Sequence, residues 1–199
     1  MKIGVLAVHG AFIEHEHIIE KIGHEVIEIR QRKDLEGIDG IILPGGESTV
    51  QGQLLRKLDM LDTIKSLIAD GLPTLATCAG LILLAGRIDN DDSIHIGTLP
   101  VTVKRNAYGR QLGSFARTAP MKGFDEFPMT FIRAPYISSI KDNVDVLAAV
   151  AVRNFANHED SSFKRLDFGQ RFCVIFKWSW LLMCPEIFLY SSLLLALPA

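Results

Sequence analysis

The first half of the chain alternates between short continuous apolar runs and longer segments with a mixed pattern. Apolar runs at 2–8, 26–29 and 40–44 predict strands buried on both faces, because such strands show no polar alternation. Segments 11–22 and 49–69 repeat apolar side chains at intervals of three and four, which predicts helices. This alternation of strand and helix favours an α/β fold with a doubly wound, mainly parallel sheet.

The rhythm changes from about residue 94. Shorter apolar pieces replace the alternation of strand and helix, at 99–103, 129–133 and 144–152. We predict that they are additional strands that complete the sheet, some of them antiparallel.

The last segment has a different composition. Residues 172–199 contain two charged side chains, Lys177 and Glu186, and show no amphipathic period. The stretch 178–199 has the length of a membrane crossing, but Pro185 and Glu186 interrupt it near its middle. We therefore expect a poorly formed or partly exposed segment rather than an anchor.

Composition limits the classes of protein to consider. A chain of 199 residues predicts one domain, or one domain with a small extension. The net charge of −2 gives no electrostatic footprint for nucleic acid. Three cysteines without ligand-like spacing favour a reduced, cytoplasmic protein over a disulfide scaffold. The apolar start is too short for the core of a signal peptide and reads as a first strand.

Cys78 is the residue most indicative of chemistry. One apolar run ends at this thiol and another begins two residues later, which predicts a strand, a sharp turn and a helix. Ala76 and Gly80 supply the small groups that such a turn needs on either side of a nucleophile. A helix N-terminus favours the thiolate, so we expect a lowered pKa at Cys78. The alternative is a buried structural cysteine.

A glycine turn at the end of the third predicted strand gives a second signal. Gly45 and Gly46 allow backbone N–H groups to point into a cleft, and Ser48 or Thr49 can cap the following helix. A phosphate-binding loop is a weak rival, because the Walker spacing is absent. A purely structural cap is a further alternative. Together the turn and Cys78 can form an acyl-transfer site, in which Ala79 and Gly45 or Gly46 donate N–H groups to an oxyanion.

Longer strings around these residues resemble a known family. The strongest are Pro44-Gly45-Gly46-Glu47-Ser48-Thr49 and Thr77-Cys78-Ala79-Gly80-Leu81-Ile82. Supporting strings are Gly10-Ala11, Glu14-His15, Val103-Lys104-Arg105-Asn106, Gly109-Arg110-Gln111 and Phe131-Ile132-Arg133-Ala134-Pro135. Over about residues 1–150 the chain resembles the class I, or triad, glutamine amidotransferases, and within them the glutaminase subunit of pyridoxal 5′-phosphate synthase.

The resemblance implies a flavodoxin-like sheet, an activity and a set of roles. The activity is hydrolysis of L-glutamine to L-glutamate and ammonia through a Cys78 thioester. The oxyanion would be held by Gly45 and Ala79, and the glutamine site would be formed by Gly46, Glu47, Ser48, Arg105, Ile132 and Arg133. The implied partner is the pyridoxal 5′-phosphate synthase subunit, which would activate the glutaminase, receive its ammonia and form a hetero-oligomer with it.

The resemblance fades beyond Arg153. The family carries its histidine and glutamate in a late Ser-Phe-His-Pro-Glu string, whose nearest counterpart here is Ser162-Phe163-Lys164-Arg165-Leu166. We therefore divide the chain into a glutamine amidotransferase-like domain, 1–153, and a divergent segment, 154–199. An altered reading frame from about residue 150 is one hypothesis for that segment. A catalytically inactive subunit that still docks on the synthase is the functional alternative to a glutaminase.

Other ligands are not indicated. His15 and His17 are two positions apart and would point in different directions on a helix, so we expect no metal site. No dinucleotide-binding fingerprint is present, and we expect no cofactor. His9 occupies the position where the family has a glutamine after its first strand, and it could donate a hydrogen bond near the oxyanion or have only a structural role.

Overall fold

Parallel strands form the central sheet, as the apolar runs predict. In the computed structural model they are β1 (Lys2–Leu6), β2 (Glu25–Ile29), β3 (Gly40–Leu43) and β4 (Thr74–Ala76), in the order β2-β1-β3-β4. This order is that of the flavodoxin-like doubly wound folds. Strand β1 is paired on both sides, for example Gly4 with Ile27 and with Ile41. The predicted fold class is therefore confirmed.

Helices cover both faces of this sheet. They are α1 (Ile13–Lys21), α2 (Ser48–Lys57), α3 (Leu61–Ala69) and α4 (Ala79–Leu84), with a 3₁₀ turn at Arg32–Leu35. On one face Ile19 of α1 packs with Ile3 and Val5. On the other, the buried side chains of α2, α3 and α4 pack with Leu6 and Leu43. Each strand thus sends alternate side chains into two separate cores.

The single helix predicted for 49–69 is two helices, so this prediction is wrong. Helix α2 ends at Lys57 and α3 begins at Leu61, and Asp59 between them has a φ of 53°. A backbone in the left-handed region cannot continue a right-handed helix. Met60 is fully buried beside this break, and its N–H donates to the Leu55 carbonyl at 2.9 Å. The spacing of apolar residues at three and four continues across the break, which is why the pattern did not reveal it.

The later strands pair with one another instead of extending the parallel sheet. Strand β5 (Ala85–Ile88) pairs in parallel with β6 (Leu99–Lys104), which pairs antiparallel with β9 (Tyr136–Ile140). The expectation that they complete the first sheet is wrong. Only residues 77–84 separate β4 from β5, whereas a crossover between neighbouring parallel strands takes about a dozen residues or more.

Two antiparallel pairs make up the remaining strands of the described chain. Strand β7 (Phe115–Met121) pairs with β8 (Phe124–Phe131), and β10 (Ala149–Ala151) pairs with β11 (Arg171–Cys173). The prediction of some antiparallel strands is therefore confirmed.

The structure describes residues 1–89, 91–105, 115–121, 124–131, 135–141, 144, 146–147, 149–151 and 171–173. The predictions for Ile132, Arg133, the 162–166 string and the apolar tail from 174 onward lie outside these residues. Within them, no helix has both the length and the apolar character to cross a membrane.

Candidate active site

Cys78 lies at a strained turn between β4 and α4. Its φ is 47° and its ψ is −103°, a backbone conformation that L-residues rarely adopt. The turn is held on both sides of the thiol. The Thr77 N–H donates to the Leu43 carbonyl at 3.0 Å, and the Gly80 N–H donates to the Thr77 carbonyl at 2.8 Å. This strand–turn–helix geometry presents a side chain at the C-terminal edge of the sheet, as a nucleophile elbow does.

Steric contact explains why Gly80, two positions after Cys78, has to be a small residue. A Cβ atom at Gly80 would lie 2.1 Å from the Leu43 carbonyl oxygen. Helix α4 therefore approaches the end of β3 at backbone contact distance, and only glycine permits it. This close approach brings the loop after β3 next to Cys78.

Backbone amides surround the sulfur of Cys78. Cys78 is a partly exposed residue, and hydrogen bonding by the N–H groups of Gly46 and Ala79 acts to lower the pKa of its thiol. Burial nevertheless raises the pKa of the Cys78 thiol, and these two hydrogen bonds only partly oppose that effect. The expected lowering of the pKa is therefore wrong. Desolvation outweighs the amides and the six-residue helix α4, so a base must remove the thiol proton.

The sequence left Gly45 and Gly46 open as N–H donors, and the resemblance implied Gly45 for the oxyanion. The amide of the glycine turn that acts on the Cys78 thiol is that of Gly46. The Gly45 carbonyl instead accepts a hydrogen bond from the Ala11 N–H at 3.1 Å. Gly46 has a φ of 150°, in the region that favours glycine, and its N–H interacts with the Cys78 thiol. Gly45 thus anchors the glycine turn to the loop after β1, and Gly46 provides the N–H group next to Cys78.

A buried glutamine joins the two loops beside the thiol. Gln51 is fully buried, and its Nε2 donates to the His9 carbonyl at 2.8 Å and to the Pro44 carbonyl at 3.3 Å. The His9 ring lies beside Gly46, because a Cβ there would be 3.5 Å from His9 Cδ2. The loop after β1 therefore forms one wall of the site.

Helix α2 is capped by Glu47, not by Ser48 or Thr49 as expected. The Glu47 carboxylate accepts from the Val50 N–H at 3.0 Å and from the Thr49 N–H at 3.3 Å. Partial burial acts to raise the pKa of Glu47, but these hydrogen bonds and the nearby Arg105 hold it below its usual value. Glu47 is therefore an anion at neutral pH, at the mouth of the site.

Ser48 and Thr49 bind Arg105 instead of capping the helix. The Arg105 guanidinium, through one nitrogen, donates to Ser48 Oγ at 2.7 Å and to Thr49 Oγ1 at 2.9 Å. Ser48 is 3% exposed, so this contact lies against the core. The structure therefore brings Arg105 to the turn that carries Gly46, although the two are far apart in sequence.

Beneath the elbow lies a buried histidine. His15 of α1 has its Nε2 3.5 Å from Thr77 Oγ1, next to the nucleophile in sequence. Burial lowers the pKa of His15 to about 4, and the charge of Glu14 opposes this only partly. At neutral pH the ring is therefore uncharged and supports the turn.

This buried ring predicts a pH dependence of stability. Between about pH 6.5 and pH 4 the unfolded chain binds a proton at His15 and the folded chain does not. The free energy of unfolding should therefore fall as the pH is lowered through this window, by about 3 kcal/mol in total. Urea unfolding at a series of pH values measures it.

Two variants on the same helix separate this effect from other titrating groups. His15→Gln remains neutral at every pH and should lose most of the slope, while His17→Gln, at an exposed position of α1, should keep it. An unchanged slope in His15→Gln would contradict the assignment.

The structure brings most of the predicted site residues together. Cys78, Ala79, Gly46, Glu47, Ser48 and Arg105 form a continuous set through the contacts given above. Ile132 and Arg133 lie outside the described residues, as do Lys164 and Leu166 of the late string. In the described part of the chain, no group of three His, Cys, Asp or Glu side chains is arranged to hold a metal.

Asp91 was not indicated by the sequence. Its Oδ2 accepts from the Arg105 guanidinium at 2.7 Å, yet it stands in an acidic turn with no recognisable spacing. The contact between Asp91 and Arg105 depends on the pairing of β5 with β6, which brings the residues after β5 close to the end of β6.

Comparisons with known proteins agree with this geometry. A family model described as the SNO glutamine amidotransferase family matches residues 5–162. A pyridoxal 5′-phosphate synthase subunit PdxT from Desulfitobacterium hafniense is 57% identical over 151 residues, 75% of this chain and 76% of that protein. A PdxT from Haemophilus influenzae is 53% identical over 154 residues, covering 75% and 80%. A crystal structure of a glutamine amidotransferase, 39% identical, matches with a TM-score of 0.71 and covers 74% of this chain and 79% of that one.

Proposed function

The chain belongs to the SNO glutamine amidotransferase family, and on this premise we propose that it hydrolyses L-glutamine to L-glutamate and ammonia. Its similar relatives are named as subunits of pyridoxal 5′-phosphate synthase. The ammonia is therefore delivered to a synthase subunit that builds pyridoxal 5′-phosphate. The observation that carries the proposal is the partly exposed residue Cys78, whose thiol interacts with the backbone N–H groups of Gly46 and Ala79.

The chemistry follows from the position of the sulfur. Cys78 attacks the carbon of the glutamine carboxamide while a base takes the thiol proton. The carbonyl oxygen becomes an oxyanion, which the N–H groups of Gly46 and Ala79 stabilise. The C–N bond then breaks, and nitrogen leaves with the proton as ammonia. Water hydrolyses the thioester, which releases glutamate and restores the thiol.

The binding pocket extends from this oxyanion site along the start of α2. The exposed turn at Gly46 and Glu47 faces the substrate, and the anionic Glu47 suits the α-amino group of an amino acid. Arg105 suits the α-carboxylate, because a guanidinium N–H group forms a charge-assisted hydrogen bond with a carboxylate. By resemblance, Ile132 and Arg133 complete the pocket.

The partner of the glutaminase is the synthase subunit, with which it forms a hetero-oligomer. The family resemblance supports activation by this partner, since the ammonia has to pass from one subunit to the other without loss to solvent. The raised pKa of Cys78 is consistent with a site that needs further assembly before it reacts.

The test is glutamate release by the purified full chain, alone and with the synthase subunit from the same genome. We expect release that increases on addition of the synthase and saturates with glutamine. Co-purification of the two chains without glutamate release would overturn the glutaminase proposal and leave the inactive docking subunit as the function.

A further inference from the structure

The carboxylate of Asp91 holds two groups at once. Its Oδ2 accepts from the Arg105 guanidinium at 2.7 Å, and its Oδ1 accepts from the Ser93 N–H at 2.9 Å. Hydrogen bonds from Ser93, and then the charge of Arg105, lower the pKa of Asp91. The side chains of Arg105 and Asp91 are 23% and 29% exposed, so the pair is partly shielded from water. Asp91 is therefore a fixed anion.

Arg105 is held from two directions. The terminal nitrogen Nη1 of the guanidinium donates to Asp91, and the terminal nitrogen Nη2 donates to Ser48 and Thr49 at the start of α2. A guanidinium has five N–H donors, and these contacts use three of them. The other two N–H groups, on Nε and Nη1, have no acceptor among the residues that the structure describes, and they can therefore bind an additional anion.

The segment around Asp91 is itself anchored to α2. Arg56 donates to the Ile94 carbonyl at 2.8 Å and to the Gly52 carbonyl at 3.2 Å. The ring of His95 fills the space over Gly52, where a Cβ atom would lie 2.1 Å from Nδ1. Asp91 is thus attached to the same helix that presents Ser48, and the Arg105 contact joins two parts of one rigid unit.

From this geometry we propose that Asp91 is a positioning residue for substrate binding. It fixes Arg105 at the N-terminal turn of α2, so that the guanidinium N–H groups on Nε and Nη1 meet the α-carboxylate of the incoming amino acid. Asp91 does not touch the substrate and acts through Arg105. The proposal rests on the proposed glutaminase function and names the residue that sets its affinity for the substrate carboxylate.

The variant Asp91→Asn tests the proposal. It keeps an acceptor for the Ser93 N–H but removes the charge that holds Arg105. With the synthase present, we expect the KM for glutamine to rise about fivefold while kcat stays within about twofold, because ground-state and transition-state binding weaken equally. Asp92→Asn, at the neighbouring position, should leave both parameters unchanged.

A labelling experiment reads the same effect without turnover. The probe 6-diazo-5-oxo-L-norleucine carries an α-carboxylate, whereas iodoacetamide does not, and we expect both to alkylate Cys78. In Asp91→Asn the first should label about fivefold more slowly, and the second at an unchanged rate. In an Arg105→Ala background, Asp91→Asn should have no further effect, since the two residues act as one unit.

The outcomes separate this inference from the proposed function. Equal labelling of wild type and Asp91→Asn by the diazo probe would overturn the inference, even if wild type releases glutamate. A fall in iodoacetamide labelling that matches the diazo effect would also overturn it, because the change would then be structural. Absence of glutamate release with selective diazo labelling intact would overturn the proposed function alone. If Asp91→Asn does not fold, Asp91→Glu, which keeps the charge, replaces it and should move the KM in the same direction by less.

Discussion

Replacing Cys78 with alanine should reduce glutamate release in the complex with the synthase by at least about 10⁴-fold, to the level of a blank without enzyme. The reason is that the other groups around the elbow only stabilise charge. Gly46 and Ala79 offer N–H groups, and Glu47 and Arg105 are the proposed substrate-binding residues, but none of the four can form the thioester. Glutamate is measured with a coupled dehydrogenase, over a range of glutamine concentrations.

The control for this experiment is a second cysteine. Cys173→Ala, at the end of β11, removes a thiol that the proposed mechanism does not use, and should leave the rate within about twofold. Both variants should co-purify with the synthase, and Cys78→Ala should unfold at the wild-type temperature or above. Release by Cys78→Ala within tenfold of wild type would rule out Cys78 as the nucleophile.

A second large effect is expected at Gly10. This residue has a φ of 106°, and a Cβ atom on it would lie 2.0 Å from the Gly45 carbonyl oxygen. Gly10→Ala therefore combines backbone strain with a collision that pushes the Gly45 turn away from Ala11. We expect a loss of at least about 3 kcal/mol in the free energy of unfolding, measured by denaturant titration. Glutamate release should also fall by more than about tenfold, because the Gly46 amide moves with the turn.

The chain provides a matched control for the backbone part of this effect. Gly71 also has a φ of 106°, but a Cβ atom there would meet nothing within 4 Å. Gly71→Ala should therefore cost only the strain, about 1–2 kcal/mol, with no change in glutamate release. Equal losses in the two variants would show that the contact between the loops after β1 and β3 is unimportant.

Much of the fold could be predicted because the strands are buried on both faces. Ile3, Val5, Ile41 and Ile42 are fully buried, and short continuous apolar runs bounded by turn residues are typical of strands in a covered parallel sheet. The elbow could also be predicted, because a turn of this kind needs small residues on either side of the nucleophile. At Gly80 the reason is the close approach of the Leu43 carbonyl.

The features that escaped prediction depend on contacts distant in sequence or on competing local interactions. Asp59 ends α2 in a left-handed turn, although the apolar spacing continues unbroken to Ala69. Glu47 caps α2, and the Ser48 hydroxyl instead accepts a hydrogen bond from Arg105, which is distant in sequence. Both the end of α2 and its cap thus depend on tertiary contacts.

The pKa of the thiol illustrates a second limit. A helix N-terminus next to Cys78 suggested an acidic thiol, but the short helix and the two amides act against burial that the sequence cannot measure. The balance between desolvation and hydrogen bonding depends on how closely the loop after β3 packs against Cys78.

The unusual backbone of Cys78 has a consequence for anyone who engineers this protein. Glycine at that position would relax the bend and make the molecule more heat-resistant, while removing the sulfur that attacks the amide. A library of variants screened for thermal stability alone would therefore enrich stable but inactive proteins. Selection for stability has to be combined with a selection for ammonia production.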